Sequence, residues 1–217
     1  MHNCLRICLP LCVLLAGCGV GLDAMPEVDA GLMDGELVYF EDHGDYVVFL
    51  PRQVFHRVGV VFYPGALVEA EAYAPWLRVL AQRGYPAAIA RFPLRLAALS
   101  PNRAARILAE LEAQADAWVV AGHSLGGAMA ARFVNRAAPD TVRGLALLAA
   151  YPDEADDLSG SDVAVFSLYG TRDGIATPEE ILNSAPLLPP DARFVAIEGG
   201  NHAQFGWYGS QPSDNPA

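Results

Sequence analysis

Residues 117–127 read AWVVAGHSLGG, an apolar, β-branched run leading into Gly122-His123-Ser124-Leu125-Gly126-Gly127. The run predicts a buried strand over 117–121. The Ala-rich segment 124–137 behind it predicts a helix, closed by Pro139. A serine in a tight strand-to-helix turn, with glycines two before and two after, presents its hydroxyl at the carboxyl end of the strand. The small neighbours let other backbone approach, and the start of the new helix favours negative charge there. Chance supplies G-x-S-x-G in a chain of this length roughly 0.07 times. Its place between a strand and a helix makes coincidence rarer still, so Ser124 reads as a nucleophile.

A serine hydroxyl is a weak nucleophile and needs a base. Of the five histidines, His2 lies in the leader, His43 in a hairpin turn and His56 in a polar loop. His123 sits beside the serine and is expected to point away from its site. His202, in Gly199-Gly200-Asn201-His202 after the last predicted strand, remains as the base. An imidazole base needs a carboxylate to fix its tautomer and stabilise imidazolium. Asp173 and Asp153 both follow predicted strands. Asp153 belongs to an acidic run (Asp153, Glu154, Asp156, Asp157) that reads as a solvated face. Asp173 stands between turn residues in GTRDG and completes the chain order Ser…Asp…His, so it is preferred.

Outward from the motif, strands alternate with helices. Strands are predicted at 36–41, 46–51, 58–63, 86–91, 117–121, 142–149, 163–169 and 193–197. Helices are predicted at 69–83, 101–114 (with Ser100 as N-cap), 124–137 and 178–184. The pattern implies an α/β fold with a mainly parallel sheet of about eight strands, covered by helices on both faces. The first two strands are split by Asp42-His43-Gly44-Asp45, a hairpin signal, and add an antiparallel edge. With 53% hydrophobic and 18% charged residues in 217, the chain suits one folded domain. All 14 basic residues are Arg, the net charge is −11, and no basic patch occurs. That argues against nucleic-acid binding, which needs clustered cations.

The four cysteines, Cys4, Cys8, Cys12 and Cys18, all fall in the first 18 residues. The body therefore offers no disulfide, thiolate nucleophile or Cys-based metal site. Arg6 precedes a short apolar run over 7–16, too short to span a bilayer and built like a secretory signal. Its end, Leu15-Ala16-Gly17-Cys18, resembles the lipobox of bacterial lipoproteins. The resemblance implies a signal peptide at 1–17, lipidation of Cys18 and a place in the bacterial cell envelope outside the cytoplasm. Gly19 instead of Asp is a weak pointer to an outer membrane. Residues 18–35, rich in Gly and acid, read as a flexible tether, which leaves 36–217 as the domain.

Taken together, Tyr63-Pro64-Gly65-Ala66, EAYAPWLRVLAQRGYP, GHSLGGAMA, YGTRDGIATPEE and GGNHAQFGWYG resemble the α/β-hydrolase fold superfamily over about 58–208. The order and spacing look most like compact, cap-less bacterial serine hydrolases related to dienelactone hydrolase-like domains. The resemblance implies an oxyanion hole formed by the N–H groups of Ala66 and Leu125, since Pro64 has none. It implies a carboxylesterase-like enzyme acting on a small acyl substrate through an acyl-enzyme. It also implies no metal, no cofactor, a monomer, and a membrane contact through Cys18. A non-catalytic binding lipoprotein on the same fold, or an acyltransferase, remains as an alternative. Two features depart from the pattern. Dienelactone hydrolases use a Cys nucleophile, and after His202 the related folds place a full helix, whereas QPSDNPA is not helical.

Overall fold

The computed structural model describes residues 21–138 and 141–217. The expected leader 1–17, Cys18 and Pro139 lie outside the described residues. Eight strands form one sheet: β1 (Val38–Asp42), β2 (Tyr46–Pro51), β3 (Val58–Tyr63), β4 (Ala87–Ala90), β5 (Ala117–His123), β6 (Gly144–Leu148), β7 (Ala164–Gly170) and β8 (Arg193–Ile197). Their spatial order is β1-β2-β4-β3-β5-β6-β7-β8. The hairpin β1–β2 and the pair β2–β4 are antiparallel, and all other pairs are parallel. Four helices connect them: α1 (Ala74–Gln82), α2 (Arg103–Glu110), α3 (Leu125–Arg136) and α4 (Pro178–Asn183). The expected hairpin turn is present, with Gly44 at φ 81°. Ser100 does not cap α2. The helix starts after Asn102, and the Ser100 carbonyl only accepts from the Arg103 N–H.

The two faces of the sheet carry separate cores. On one, α1 packs Leu77 and Ala81 against Val47, Phe49, Phe62 and Ile89. On the other, α2 and α3 pack Ile107, Met129, Ala130 and Phe133 against Val48, Val61, Val120, Leu145 and Val165. The acidic run after β6 is not simply a solvated face. Asp156 is wholly buried and accepts from Arg132 (2.7 Å) and Arg136 (3.3 Å), which ties the loop to α3.

Coverage on both faces fails at one end of the sheet. Phe62, Ala121, Ala146 and Phe166 are register partners along one row of the α1 face. Burial declines along it: Phe62 is buried, Ala146 half-buried, and Phe166 is 43% exposed. On β8, Val195 and Ile197 are exposed too. Among the described residues no α-helix follows β8. After His202 the chain packs instead against the start of α1: the Trp207 N–H donates to the Ala72 carbonyl, and Tyr208 is buried beside Tyr73 and His123.

The expected tether is corrected by the structure from Gly21 onward. Leu22 bridges Val68 in parallel, and its N–H donates to the Leu67 carbonyl. Val28 is fully buried against the α1 face. The Arg78 guanidinium holds the carbonyls of Gly31 and Met33. A polar, glycine-containing stretch folds down here because α1 and the loop after β3 supply both an apolar seat and backbone partners.

Candidate active site

Among the described residues six strands, β3 to β8, run parallel and share one carboxyl edge, and Ser124 follows β5 there. The Ser124 backbone lies at φ 53°, ψ −129°, a conformation that costs a non-glycine residue strain. The turn holds because close packing over-determines it. A Cβ on Gly122 would come within 2.6 Å of the Gly126 backbone, and one on Gly126 within 2.2 Å of the Tyr63 and Pro64 carbonyls. Glycine at these positions lets α3 start directly against both the end of β5 and the loop after β3. The Ser124 N–H donates to the Leu148 carbonyl, and the residue itself is half-buried at the mouth.

The loops after β7 and β8 bring Asp173 and His202 together. The His202 Nδ1 lies 2.8 Å from the Asp173 Oδ2, with both side chains buried. The Asp173 Oδ1 accepts from the N–H groups of Ile175 and Ala176, each at 2.8 Å. Three donors thus fix the carboxylate, and an Nδ1–H donated to it leaves the His202 Nε2 as a lone-pair acceptor. That Nε2 is buried and meets no hydrogen-bond partner among the described residues, the Ser124 hydroxyl included. Asp153 lies elsewhere and caps its own 3₁₀ turn through the Ala155 N–H.

His123 does not simply point away from the site. Its ring is fully buried against that of His202, with centroids 4.5 Å apart. Its Nδ1 lies 2.8 Å from the Tyr73 hydroxyl, which also accepts from the Gly65 N–H at 3.1 Å. Burial pushes the Tyr73 pKa well above its ordinary value. Burial, and then the neighbouring His202, push His123 well below its own. Both rings are therefore neutral. A tyrosine that accepts from Gly65 and donates to the His123 Nδ1 leaves the His123 proton on Nε2, which is buried and meets no partner among the described residues. The relay ties the nucleophile turn to the loop that carries Ala66. The sequence does not signal it, because Tyr73 reads as one more apolar position of a helix and only its hydroxyl hints at a polar role.

Within that loop Gly65 is engaged by Tyr73, and Leu67, at φ 60°, donates to the Arg95 carbonyl. Among the described residues the N–H groups of Ala66 and of Leu125, first in α3, meet no acceptor. A cavity of about 350 Å³ opens beside the loop, lined by Pro64, Val68, Ala90, Phe92 and the charged Arg91 and Arg95. Among the described residues no three His, Cys, Asp or Glu side chains gather into a metal-binding group.

A sequence model described as "Alpha/beta hydrolase family" matches residues 59–217. The chain belongs to that family. No curated protein matched the sequence. Among solved structures, it is similar to an alpha/beta hydrolase enzyme from the metagenome of lagoon sediments of Mar Chica, Morocco. There the identity is 16% and the TM-score 0.61, over 77% of this chain and 91% of that one. It is also similar to the esterase domain of a Rhodothermus marinus protein (16%, TM-score 0.60, 76% and 88% covered). A thermophilic esterase from Thermogutta terrifontis is a third (17%, TM-score 0.54, 79% and 85% covered). These likenesses establish the alpha/beta hydrolase fold. The segment 150–162, where the fold can carry a cap, forms only the 3₁₀ turn Glu154–Asp156.

Proposed function

We propose that this alpha/beta hydrolase cleaves a carboxylic ester or related acyl bond through Ser124, His202 and Asp173. The observation that carries the reading is the state of His202. Its Nδ1 is engaged by a carboxylate, its buried Nε2 meets no partner among the described residues, and its ring packs on that of His123, the residue before Ser124. In the reaction the Nε2 takes the Ser124 hydroxyl proton as Oγ attacks the acyl carbon. Asp173 stabilises the imidazolium that results. The tetrahedral oxyanion meets the free N–H groups of Ala66 and Leu125, each such donor being worth about 3 kcal/mol. The imidazolium then protonates the leaving alcohol. Water, deprotonated by the same Nε2, releases the acid from Ser124. A fluorophosphonate probe tests this. It is expected to label the wild type and not Ser124→Ala, which keeps its fold and loses at least ~10³-fold in kcat. Equal labelling of both proteins would remove the catalytic reading and leave a binding role.

We also propose that Cys18 carries the lipid anchor of an envelope lipoprotein. The support is the lipobox-like Leu15-Ala16-Gly17-Cys18. Among the described residues no helix is long and apolar enough to cross a membrane. Gly21 lies against Arg95 and the Leu67 carbonyl, at the rim of the candidate site. Three residues reach at most about 11 Å, so an anchor at Cys18 holds the mouth close to the bilayer. Substrates presented at that surface would then be favoured by effective concentration. Cys18→Ser is expected to move the protein from the detergent phase to the aqueous phase with esterase activity intact. A mature N-terminus beyond Cys18 without acyl mass would overturn the anchor and leave the chemistry untouched.

A further inference from the structure

The acid and the base of the candidate site sit on separate loops, after β7 and after β8. At their roots the loops are joined by backbone: the Thr171 N–H donates to the Ile197 carbonyl, and the Arg172 N–H to the Gly200 carbonyl. Further out, the Asp173–His202 bond crosses between them, and a third group crosses beside it. The Asp214 carboxylate accepts from the Gly174 N–H through Oδ1 (3.1 Å) and from the Ala203 N–H through Oδ2 (2.9 Å). Gly174 follows the acid, and Ala203 follows the base. Asp214 thus holds the two residues next in chain to the two that must stay in register.

The rest of the tail is shaped to deliver this carboxylate. The Asn215 N–H braces Oδ1 at 2.9 Å, and the Asn215 carbonyl accepts from the Asn201 side-chain amide at 2.7 Å. The Asp214 N–H donates to the Gln211 carbonyl. Upstream, the buried Tyr208 anchors the tail, its hydroxyl 3.3 Å from the Gln211 side chain. Gly174 leaves the room for it, since a Cβ there would come within 2.9 Å of Asn215. Seven irregular residues, 211–217, do here what a covering helix does not: they fix the tops of the last two strand loops.

We propose that Asp214 is a positioning residue for catalysis, a clamp that keeps the His202 Nδ1–H aligned on Asp173 as the imidazolium forms. The proposal rests on the Ser124–His202–Asp173 reading and adds a fourth group that touches no substrate. Displacement of a reacting geometry by about 1 Å costs on the order of 10²-fold in rate, so the clamp belongs to kcat rather than to KM.

The test compares wild type, Asp214→Ala, Asp214→Asn and Ser124→Ala on a short aryl ester, with thermal unfolding and proton NMR of the His202 Nδ1–H. Asp214→Ala is expected to lose about 10–100-fold in kcat with KM within about twofold. Its Nδ1–H resonance broadens, and the protein stays folded at the assay temperature. Asp214→Asn keeps one carbonyl acceptor and loses less. An unchanged kcat and resonance in Asp214→Ala would overturn the clamp. So would a fall in kcat fully accounted for by the unfolded fraction, with the resonance of the folded protein intact. Activity retained by Ser124→Ala would overturn the underlying reading together with the clamp, whereas a dead Ser124→Ala beside a normal Asp214→Ala removes the clamp alone.

Discussion

A histidine sealed from water and bonded through Nδ1 to a tyrosine hydroxyl has nowhere to put a second proton, and His123 is in that position. Its pKa in the folded protein lies well below the ordinary value because burial penalises the charged form. The unfolded chain titrates near 6.5 and so binds more protons than the native state over the window below that. The stability that neutral His123 contributes is complete above about pH 6.5 and is lost as pH falls toward the folded value, at up to about 1.4 kcal/mol per pH unit. Urea midpoints are therefore expected to drop between pH 7 and pH 5 in the wild type. They should drop less in His123→Asn, which does not titrate. A wild-type midpoint flat across that window would show that the folded protein protonates His123 freely. At this scale the sequence is legible where chemistry demands a residue type in a fixed context. The Asp173–His202 pair, which the structure joins, can be picked out because each residue follows a strand and its order in the chain is constrained. Tyr73 and Asp214 cannot, because each joins two segments that are far apart in sequence, Gly65 and His123 in one case and Gly174 and Ala203 in the other. A lone polar side chain in an apolar helix or a polar tail leaves no periodic trace.

The elements themselves follow from periodicity with small errors at the ends, and β8 falls on residues 193–197 as expected. Periodicity reports that a segment is apolar, and it does not report what lies on top of it. Strands β7 and β8 carry Phe166, Val195 and Ile197 on a face where parallel sheets are normally covered, yet Phe166 remains 43% exposed. Its counterparts on the opposite face, such as Leu145 and Val165, are buried under α3. The energetic consequence is a contrast between two apolar residues in adjacent strands. Leu145→Ala removes packed methyl groups and is expected to cost about 2–5 kcal/mol. Phe166→Ser removes a ring that is already half in water and is expected to cost less than about 1 kcal/mol. Chemical denaturation of both variants checks this, and a Phe166→Ser cost equal to that of Leu145→Ala would mean that something covers the face in solution. The acidic run after β6 carries the same lesson. Asp153, Glu154, Asp156 and Asp157 are alike as letters, and only the turn that buries Asp156 under Arg132 and Arg136 makes it part of the α3 seat.

For the whole molecule, what reaches the mouth matters more than what forms the sheet. The family fold was legible because its motifs recur in order along most of the chain. The N-terminal 21–35 segment was not, because composition alone makes a Gly- and acid-containing stretch look solvated. In the structure it closes one flank of the site: Leu22 lies on the loop after β3, and the Met25 N–H donates to the Trp207 carbonyl on the loop after β8. These are fixed walls held by backbone bonds. The segment 150–162 adds only one 3₁₀ turn, so among the described residues no multi-element cap is inserted there. The cavity beside the loop after β3 holds about 350 Å³ and is bordered by Arg91, Arg95, Glu69 and Glu71. Ser124, Asp173 and His202 do not line it, and its four charged side chains would border a long acyl chain laid into it. Each CH₂ that is buried gains about 0.8 kcal/mol, and this gain ends where the walls end. We therefore expect kcat/KM for aryl esters to peak at short acyl chains and to fall or level off from there to palmitoyl. With no cap in the 150–162 segment to open, the rate should not jump when the substrate passes into micelles. The Cys18→Ser protein is the right form for the measurement, since it separates the shape of the site from any enrichment at a membrane. A maximum at long chains, or a sharp gain at the micellar threshold, would show that the walls move.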